Sequence, residues 1–178
     1  MKKSIVALML ISVVALLVGC GGPKMAILDV KATTDKLTQE VAYNQVTMVL
    51  IDKGFDIKLG NKDLGLITTE YKKYGAVDGN PPFDFYLQIK AQAKELPDGR
   101  VRITLTPAIK EANRLNAAAY TERQLIFFDD KKQKGYLNNT DKVNLQGQLL
   151  FLNVAQGVAE ICGLGMEQLE QTVQLMEK

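Results

Sequence analysis

The sequence predicts an α+β domain in which two main helices cover one face of an antiparallel β-meander. The first observation behind this prediction is a pair of long segments in which apolar and polar residues alternate with the period of a half-buried β-strand. The second is a pair of segments with apolar residues at helical spacing, one before these strands and one after them. A sheet with one apolar and one polar face needs cover on one side only, so both helices are expected on the apolar side.

The clearest strands are 83–94 and 101–106, which are joined by the turn Pro97-Asp98-Gly99 and form a long hairpin. A shorter hairpin is predicted around the turn at 60–63. The stretch 74–82 holds two glycines and two prolines, so it is predicted to be a loop. In chain order, the predicted strands are 25–30, 55–59, 64–71, 83–94, 101–106 and 120–128.

The first helix is predicted to begin at Thr33-Thr34-Asp35, which supplies capping oxygens and a carboxylate. Its end is predicted to be a Schellman motif, with Gly54 in the left-handed conformation and Phe55 folded back on Leu50. One face of this helix carries Leu37, Val41, Met48 and Ile51 at helical spacing, and it is flanked by Ala42, Val46 and Val49. Residues 46–51 are apolar nearly all round, which predicts a helix that is well buried in its second half, with a strand as the alternative.

The second helix is predicted over 140–162, with Thr140-Asp141 as its cap. Its narrow polar stripe consists of Lys142, Gln146, Asn153, Gln156 and Glu160, so most of its surface is expected to be buried. Cys162 ends this helix and is expected to be a buried core cysteine, with pairing between chains as the alternative. A shorter amphipathic helix is predicted over 166–176.

The N-terminus has the features of a secretory signal, with Lys2 and Lys3 before an apolar run at 5–18. This run is shorter than the roughly 20 residues that cross a bilayer as a helix, so a retained transmembrane helix is not expected. Leu17-Val18-Gly19-Cys20 resembles the bacterial lipobox, in which the cysteine is diacylated and the chain is cut before it. The resemblance implies a signal peptide at 1–19, a short lipidated tether at 20–24 and a single α+β domain at 25–178.

Acylation of Cys20 leaves Cys162 as the other cysteine of the chain, so no intrachain disulfide is expected. The chain has no histidine, which excludes histidine-dependent triads, histidine-ligated zinc and imidazole acid–base catalysis. Asp129-Asp130 could act as acid and base or bind a cation, but the lysines that follow favour a solvated turn. We therefore predict no enzyme activity, catalytic residue, metal site or cofactor.

The order of elements resembles the helix-grip domain of BamC-type lipoproteins, which are accessory subunits of the machinery that inserts β-barrels into the bacterial outer membrane. The resemblance lies in the segments 49–57 and 63–71, the two long strands and the closing helix. It implies a helix-grip-like fold, which can carry over without that family's partner. The chain departs from that family in having one domain and a very short segment before Met25. Lipoproteins of lipopolysaccharide assembly of the LptE type have a similar layout.

Tyr71-Lys72-Lys73-Tyr74 is the candidate partner-binding segment, because aromatic residues interleaved with lysines can bind headgroups, glycans or an acidic protein surface. A frayed strand end is the alternative. Loss of Lys2 and Lys3 with the signal leaves equal numbers of basic and acidic residues, which argues against nucleic acid as a partner.

The predicted function is a non-enzymatic envelope protein that is held to the membrane through Cys20 and binds another protein within an assembly complex. Gly21 after the cysteine is similar to lipoproteins sent to the outer membrane, which implies its periplasmic face as the location. The alternative is a carrier or sensor that holds a lipid or small apolar ligand between the long helix and the sheet.

Overall fold

A computed structural model describes residues 25–116, 118–127 and 138–175. The lipobox with Cys20, the tether and Asp129-Asp130 therefore lie outside the described residues. In chain order the elements are β1 (Met25–Thr34), α1 (Gln39–Asp52), β2 (Ile57–Asn61), β3 (Leu66–Thr69), β4 (Lys72–Val77), β5 (Phe83–Glu95), β6 (Val101–Asn113), β7 (Tyr120–Arg123), β8 (Leu125–Phe127), α2 (Asn139–Cys162), a 3₁₀ turn (Met166–Gln168) and β9 (Glu170–Leu175).

The strands of the described residues form one antiparallel sheet. Its hydrogen-bonded path is β2-β3-β5-β6-β1-β8, while β4 pairs with β5, β7 with β6 and β9 with β1. At its centre is the long hairpin of β5 and β6, in which Phe83 lies opposite Asn113 and Glu95 opposite Val101. This hairpin confirms the clearest strand prediction and extends its second strand by seven residues, to Asn113.

Both helices pack on the same face of the sheet and bury its apolar side chains. Along the central hairpin these are alternate residues, such as Leu87 and, directly opposite on β6, Ile109. Leu50 of α1 and Phe151 of α2 are fully buried against this layer. The structure therefore confirms the predicted α+β class, with two helices over one face of an antiparallel sheet.

The start and the buried face of α1 differ from the prediction. Thr33 and Thr34 continue β1 in register with β6, so the helix begins after Thr38, whose Oγ1 accepts a hydrogen bond from the Val41 amide at 3.3 Å. The helix buries Ala42, Val46 and Leu50, whereas Val41, Met48 and Ile51 are 41%, 58% and 50% exposed. Since 46–51 is apolar nearly all round, helical spacing alone does not decide which face packs on the sheet.

The end of α1 confirms the predicted Schellman motif. Gly54 has φ of +76°, its amide donates to the Ile51 carbonyl at 2.8 Å, and the Phe55 amide donates to the Leu50 carbonyl at 2.9 Å. Phe55 is buried directly after the helix. These two hydrogen bonds satisfy carbonyls that the last turn leaves without helical partners, so the chain leaves the helix at a fixed angle.

The predicted loop at 74–82 is wrong in its first half, because residues 72–77 form β4. This strand pairs with β5 from Lys72 opposite Leu87 to Val77 opposite Phe83, with an irregularity between Lys73 and Gly75. β3 pairs with β5 only from Lys90 to Gln92, which leaves the first half of β5 with free backbone groups on that side. β4 satisfies those groups, a requirement that glycine and proline content does not reveal.

The predicted C-terminal helix is also wrong. A single 3₁₀ turn is followed by β9, which pairs with β1 from Glu170 opposite Lys31 to Leu175 opposite Met25. The outer edge of β1 offers unpaired amides and carbonyls, and pairing with β9 satisfies them. The apolar residues of this segment recur at intervals of three and four positions. This local pattern carries no information about the free edge of β1, which is distant in sequence.

Two smaller predictions concern β7, β8 and α2. The strand predicted over 120–128 is interrupted at Gln124, so that β7 pairs with β6 and β8 pairs with β1. The cap of α2 is Asn138, whose Oδ1 accepts a hydrogen bond from the Asp141 amide at 2.8 Å, and Thr140-Asp141 lies inside the helix. The predicted polar stripe of α2 is exposed, and no helix of the described residues is long and apolar enough to span a membrane.

Candidate binding face

The sheet face opposite the helices carries most of the charged side chains of β5 and β6. We call it the open face, because both helices pack on the other side. Side chains on it alternate with the buried ones, so Tyr86 lies beside Lys110, and Lys94 beside Arg102, across the hairpin. The open face is therefore the polar half of the alternation that predicted these strands.

A cluster of two tyrosines and a lysine lies at one end of the open face. The Lys110 ammonium is 4.5 Å from the ring centroid of Tyr120 and 5.7 Å from that of Tyr71. Tyr71 donates a hydrogen bond from its hydroxyl to Glu122 Oε1 at 3.2 Å. Partial burial, followed by the negative charge of Glu122, raises the pKa of Tyr71 to about 12, so this hydroxyl remains a donor at neutral pH. We call Tyr71, Lys110, Tyr120 and Glu122 the tyrosine–lysine cluster.

An open cleft of about 300 Å³ adjoins this cluster. Asp84, which is nearly buried, lies on its wall between the Lys73 ammonium at 2.8 Å and the Arg114 Nε at 3.4 Å. Arg114 also pairs with Asp78, and that carboxylate raises the pKa of the guanidinium. Because these four charges pair with one another, the cleft wall is held in place and needs no ligand to neutralise it.

The opposite end of the open face carries Lys90, Lys94 and Arg102, which we call the basic strip. Lys94 and Arg102 lie directly opposite each other on β5 and β6, an arrangement of like charges that is unfavourable in a sheet. Among the described residues, none of the three forms an ion pair. The buried Nε of Arg102 has no hydrogen-bond acceptor there either. The basic strip is therefore a set of cations without a partner in the described part of the chain.

The four residues of the predicted partner-binding segment do not share one surface. Tyr71 and Lys73 lie on the open face, where Tyr71 contacts Lys110 and Lys73 pairs with Asp84. A strand places successive side chains on opposite faces, so Lys72 and Tyr74 point towards the helices. Only half of this segment is therefore placed to meet a partner that binds the open face.

Lys72 and Tyr74 hold the fold together on the helix side. The Lys72 ammonium donates to the Lys53 carbonyl at 2.7 Å and lies 5.1 Å from the ring centroid of Phe55. Tyr74 is largely buried against Gly147 of α2, and this burial, followed by the charge of Glu111, raises the pKa of its hydroxyl. Both side chains contact the core side of the domain, so they are not available on the open face.

The seam between α2 and its neighbours is narrow at three glycines. An added Cβ would lie 2.6 Å from Val143 at Gly75, 2.8 Å from Tyr74 at Gly147 and 2.8 Å from Val49 at Gly157. Such distances are shorter than real carbon contacts. Gly75 and Gly147 lie between α2 and the sheet, so a ligand held there, as in the carrier alternative, does not fit at these two positions, and the contact at Gly157 lies between the two helices.

Cys162 is fully buried, and this burial raises the pKa of its thiol to about 11, against a smaller opposing effect of Lys36. Since the thiolate is the reactive form, about one thiol in a thousand is ionised at pH 8. In a soluble Cys20→Ser protein, we expect Cys162 to resist an aromatic disulfide reagent at pH 8 and to react once urea unfolds the chain. Rapid labelling of the native protein, or a disulfide-linked dimer without reductant, would contradict this burial.

Comparisons with known proteins give no family for this chain. No protein-family model and no curated protein matches it. Among solved structures, it is similar to a DUF4468 family protein from Bacteroides ovatus, at 13% identity over 74% of this chain and 85% of that chain, with a TM-score of 0.42. It is also similar to a TBP-like protein from Parabacteroides distasonis, at 13% identity over 74% of this chain and 91% of that chain, with a TM-score of 0.41. At these scores neither likeness supports a conclusion, and the lipobox and the BamC-type resemblance stay predictions.

Proposed function

We propose that this chain is a non-enzymatic bacterial envelope lipoprotein whose open face binds an acidic surface of a partner protein. Acylated Cys20 holds the domain on the membrane, on the periplasmic face of the outer membrane, where it serves as an accessory component of an assembly complex. The observation that carries the proposal is the basic strip of Lys90, Lys94 and Arg102, which has no counter-charge among the described residues.

The basic strip favours a partner because the fold itself gains nothing from it. Two cations placed opposite each other cost some stability. Carboxylates from another protein would offset this repulsion, since cationic side chains and carboxylates form charge-assisted hydrogen bonds. The polar groups between these cations, Gln92 and Thr104, can add neutral hydrogen bonds to the same partner.

The tyrosine–lysine cluster supports the same proposal at the other end of the open face. Tyrosine is enriched at protein interfaces because it joins a large apolar ring to one hydroxyl. Tyr120 is exposed, and its ring lies beside the Lys110 ammonium. The open face thus offers aromatic area at one end and cationic groups at the other, the composition expected of a surface that binds an acidic protein.

Co-purification from detergent-solubilised envelopes tests the proposal. We compare the wild-type protein with a Lys94→Gln, Arg102→Gln double variant, and with an Asn44→Glu, Asn153→Glu control that changes net charge equally on exposed helix positions. We expect the wild type and the control to retain the partner. The open-face variant should retain about tenfold less of it, which corresponds to a loss of roughly 1.4 kcal/mol of binding free energy. Equal recovery with both variants, or a strictly monomeric wild type under mild crosslinking, would overturn the proposal.

A further inference from the structure

The end of the sheet that bears Met25 also bears the turn between β6 and β7. β1 and β6 are antiparallel, with Thr34 opposite Val101 and Val30 opposite Leu105. Met25 therefore lies towards the end of the sheet at which β6 ends, at Asn113.

This turn presents an apolar side chain to solvent. Leu115 is 75% exposed, although the backbone around it is fixed, because its amide donates to Asn113 Oδ1 at 2.8 Å and Arg114 pairs with Asp78. Tyr120 is exposed at the start of the next strand. An exposed leucine at a turn with a tyrosine behind it suits a membrane interface, where an aromatic ring lies near the headgroups.

The short tether keeps the Met25 end of the sheet close to the membrane. Cys20 is five residues before Met25, and five extended residues span at most about 17 Å. The β5–β6 turn lies at the opposite end of the sheet, because Thr34 at the end of β1 lies opposite Val101 and Val101 lies opposite Glu95. β1 spans about 30 Å from Met25 to Thr34 at 3.3 Å per residue, so a sheet that stands on its Met25 end holds the β5–β6 turn away from the membrane.

We propose that the β6–β7 turn is a second membrane contact, with Leu115 seated among the lipid headgroups beside the acylated Cys20. This inference rests on the proposed lipid anchor, and the occupant is the lipid surface itself. The sheet then stands with its strands directed away from the membrane. Its open face, with the basic strip farther from the bilayer than the tyrosine–lysine cluster, is left free for a partner in the same envelope.

The test uses the acylated full-length protein in vesicles of phosphatidylethanolamine and phosphatidylglycerol. One environment-sensitive fluorophore is attached at a new cysteine in each of three variants: Leu115→Cys at the tip, Gln92→Cys on the open face and Pro97→Cys at the far end. All three positions are exposed, whereas Cys162 is buried and Cys20 is acylated. Flotation of the vesicles is measured first, and quenching by lipids with a brominated acyl chain is measured on the protein that floats.

We expect the label at 115 to emit at shorter wavelength and to lose intensity with quencher lipid, and the labels at 92 and 97 to change neither. Floating protein with an unquenched label at 115, or with a quenched label at 92 or 97, would overturn the membrane contact and leave the anchor intact. Failure of the protein to float would overturn the anchor and this inference together. A Leu115→Ser variant labelled at 116 instead should lose most of the quenching while it still floats.

Discussion

Replacement of Cys20 by serine is expected to move the protein from the membrane fraction to the soluble fraction. Two or three acyl chains hold a protein stably on a membrane, and each buried methylene contributes about 0.8 kcal/mol. Membrane fractionation measures the change, and mass spectrometry of the wild-type protein should find a diacylglycerol on Cys20.

A Cys162→Ser protein is the matched control, because it also loses one thiol, but from the buried end of α2. We expect this control to remain in the membrane fraction. The anchor assignment is contradicted if the Cys20→Ser protein stays firmly membrane-bound, or if the first residue of the mature protein is not acylated.

Truncation of Phe151 is expected to cause the largest loss of stability among single core changes on α2. Phe151 is fully buried between the helix and the sheet, and a Phe→Ala change at such a site costs about 3 to 5 kcal/mol. Leu149 lies on the same helix but is 58% exposed. The Leu149→Ala change is therefore expected to alter stability by less than about 0.5 kcal/mol.

Urea unfolding of the soluble Cys20→Ser protein measures both changes on one background. If the urea concentration at the unfolding midpoint falls while the dependence of the unfolding free energy on urea concentration is unchanged, the variant has lost stability and its unfolded state is the same. Similar midpoints for the two variants would show that α2 does not pack on the sheet through Phe151, and would contradict the described core.

The parts of the fold that local patterns determine were predictable from the sequence. Alternation of apolar and polar residues over 83–94 predicted the first central strand. The sequence Lys53-Gly54-Phe55 predicted the helix end. Each of these predictions depends only on residues that are neighbours in sequence. The parts that depend on distant edges were not predictable. β4 and β9 form because β5 and β1 offer unpaired backbone groups, which no property of residues 72–77 or 170–175 reveals.

The candidate binding face was predictable in composition but not in arrangement. Lys94 and Arg102 belonged to the polar half of the predicted hairpin, yet their direct opposition follows only from the register set by the turn. Lys110 and Tyr120 were not recognised as functional, since their contact joins β6 to a strand whose pairing was unknown. The segment 71–74 looked continuous in sequence, and strand geometry divides it between two faces.

Site-specific photocrosslinking in the native membrane tests most directly whether the open face binds a partner. A photoreactive residue replaces Gln92, which is exposed between Lys90 and Lys94 of the basic strip, or Asn153, which is exposed on α2. The proposed function predicts a covalent adduct with another envelope protein at position 92 and none at position 153. An adduct at 153 alone, or no adduct at 92, would contradict it.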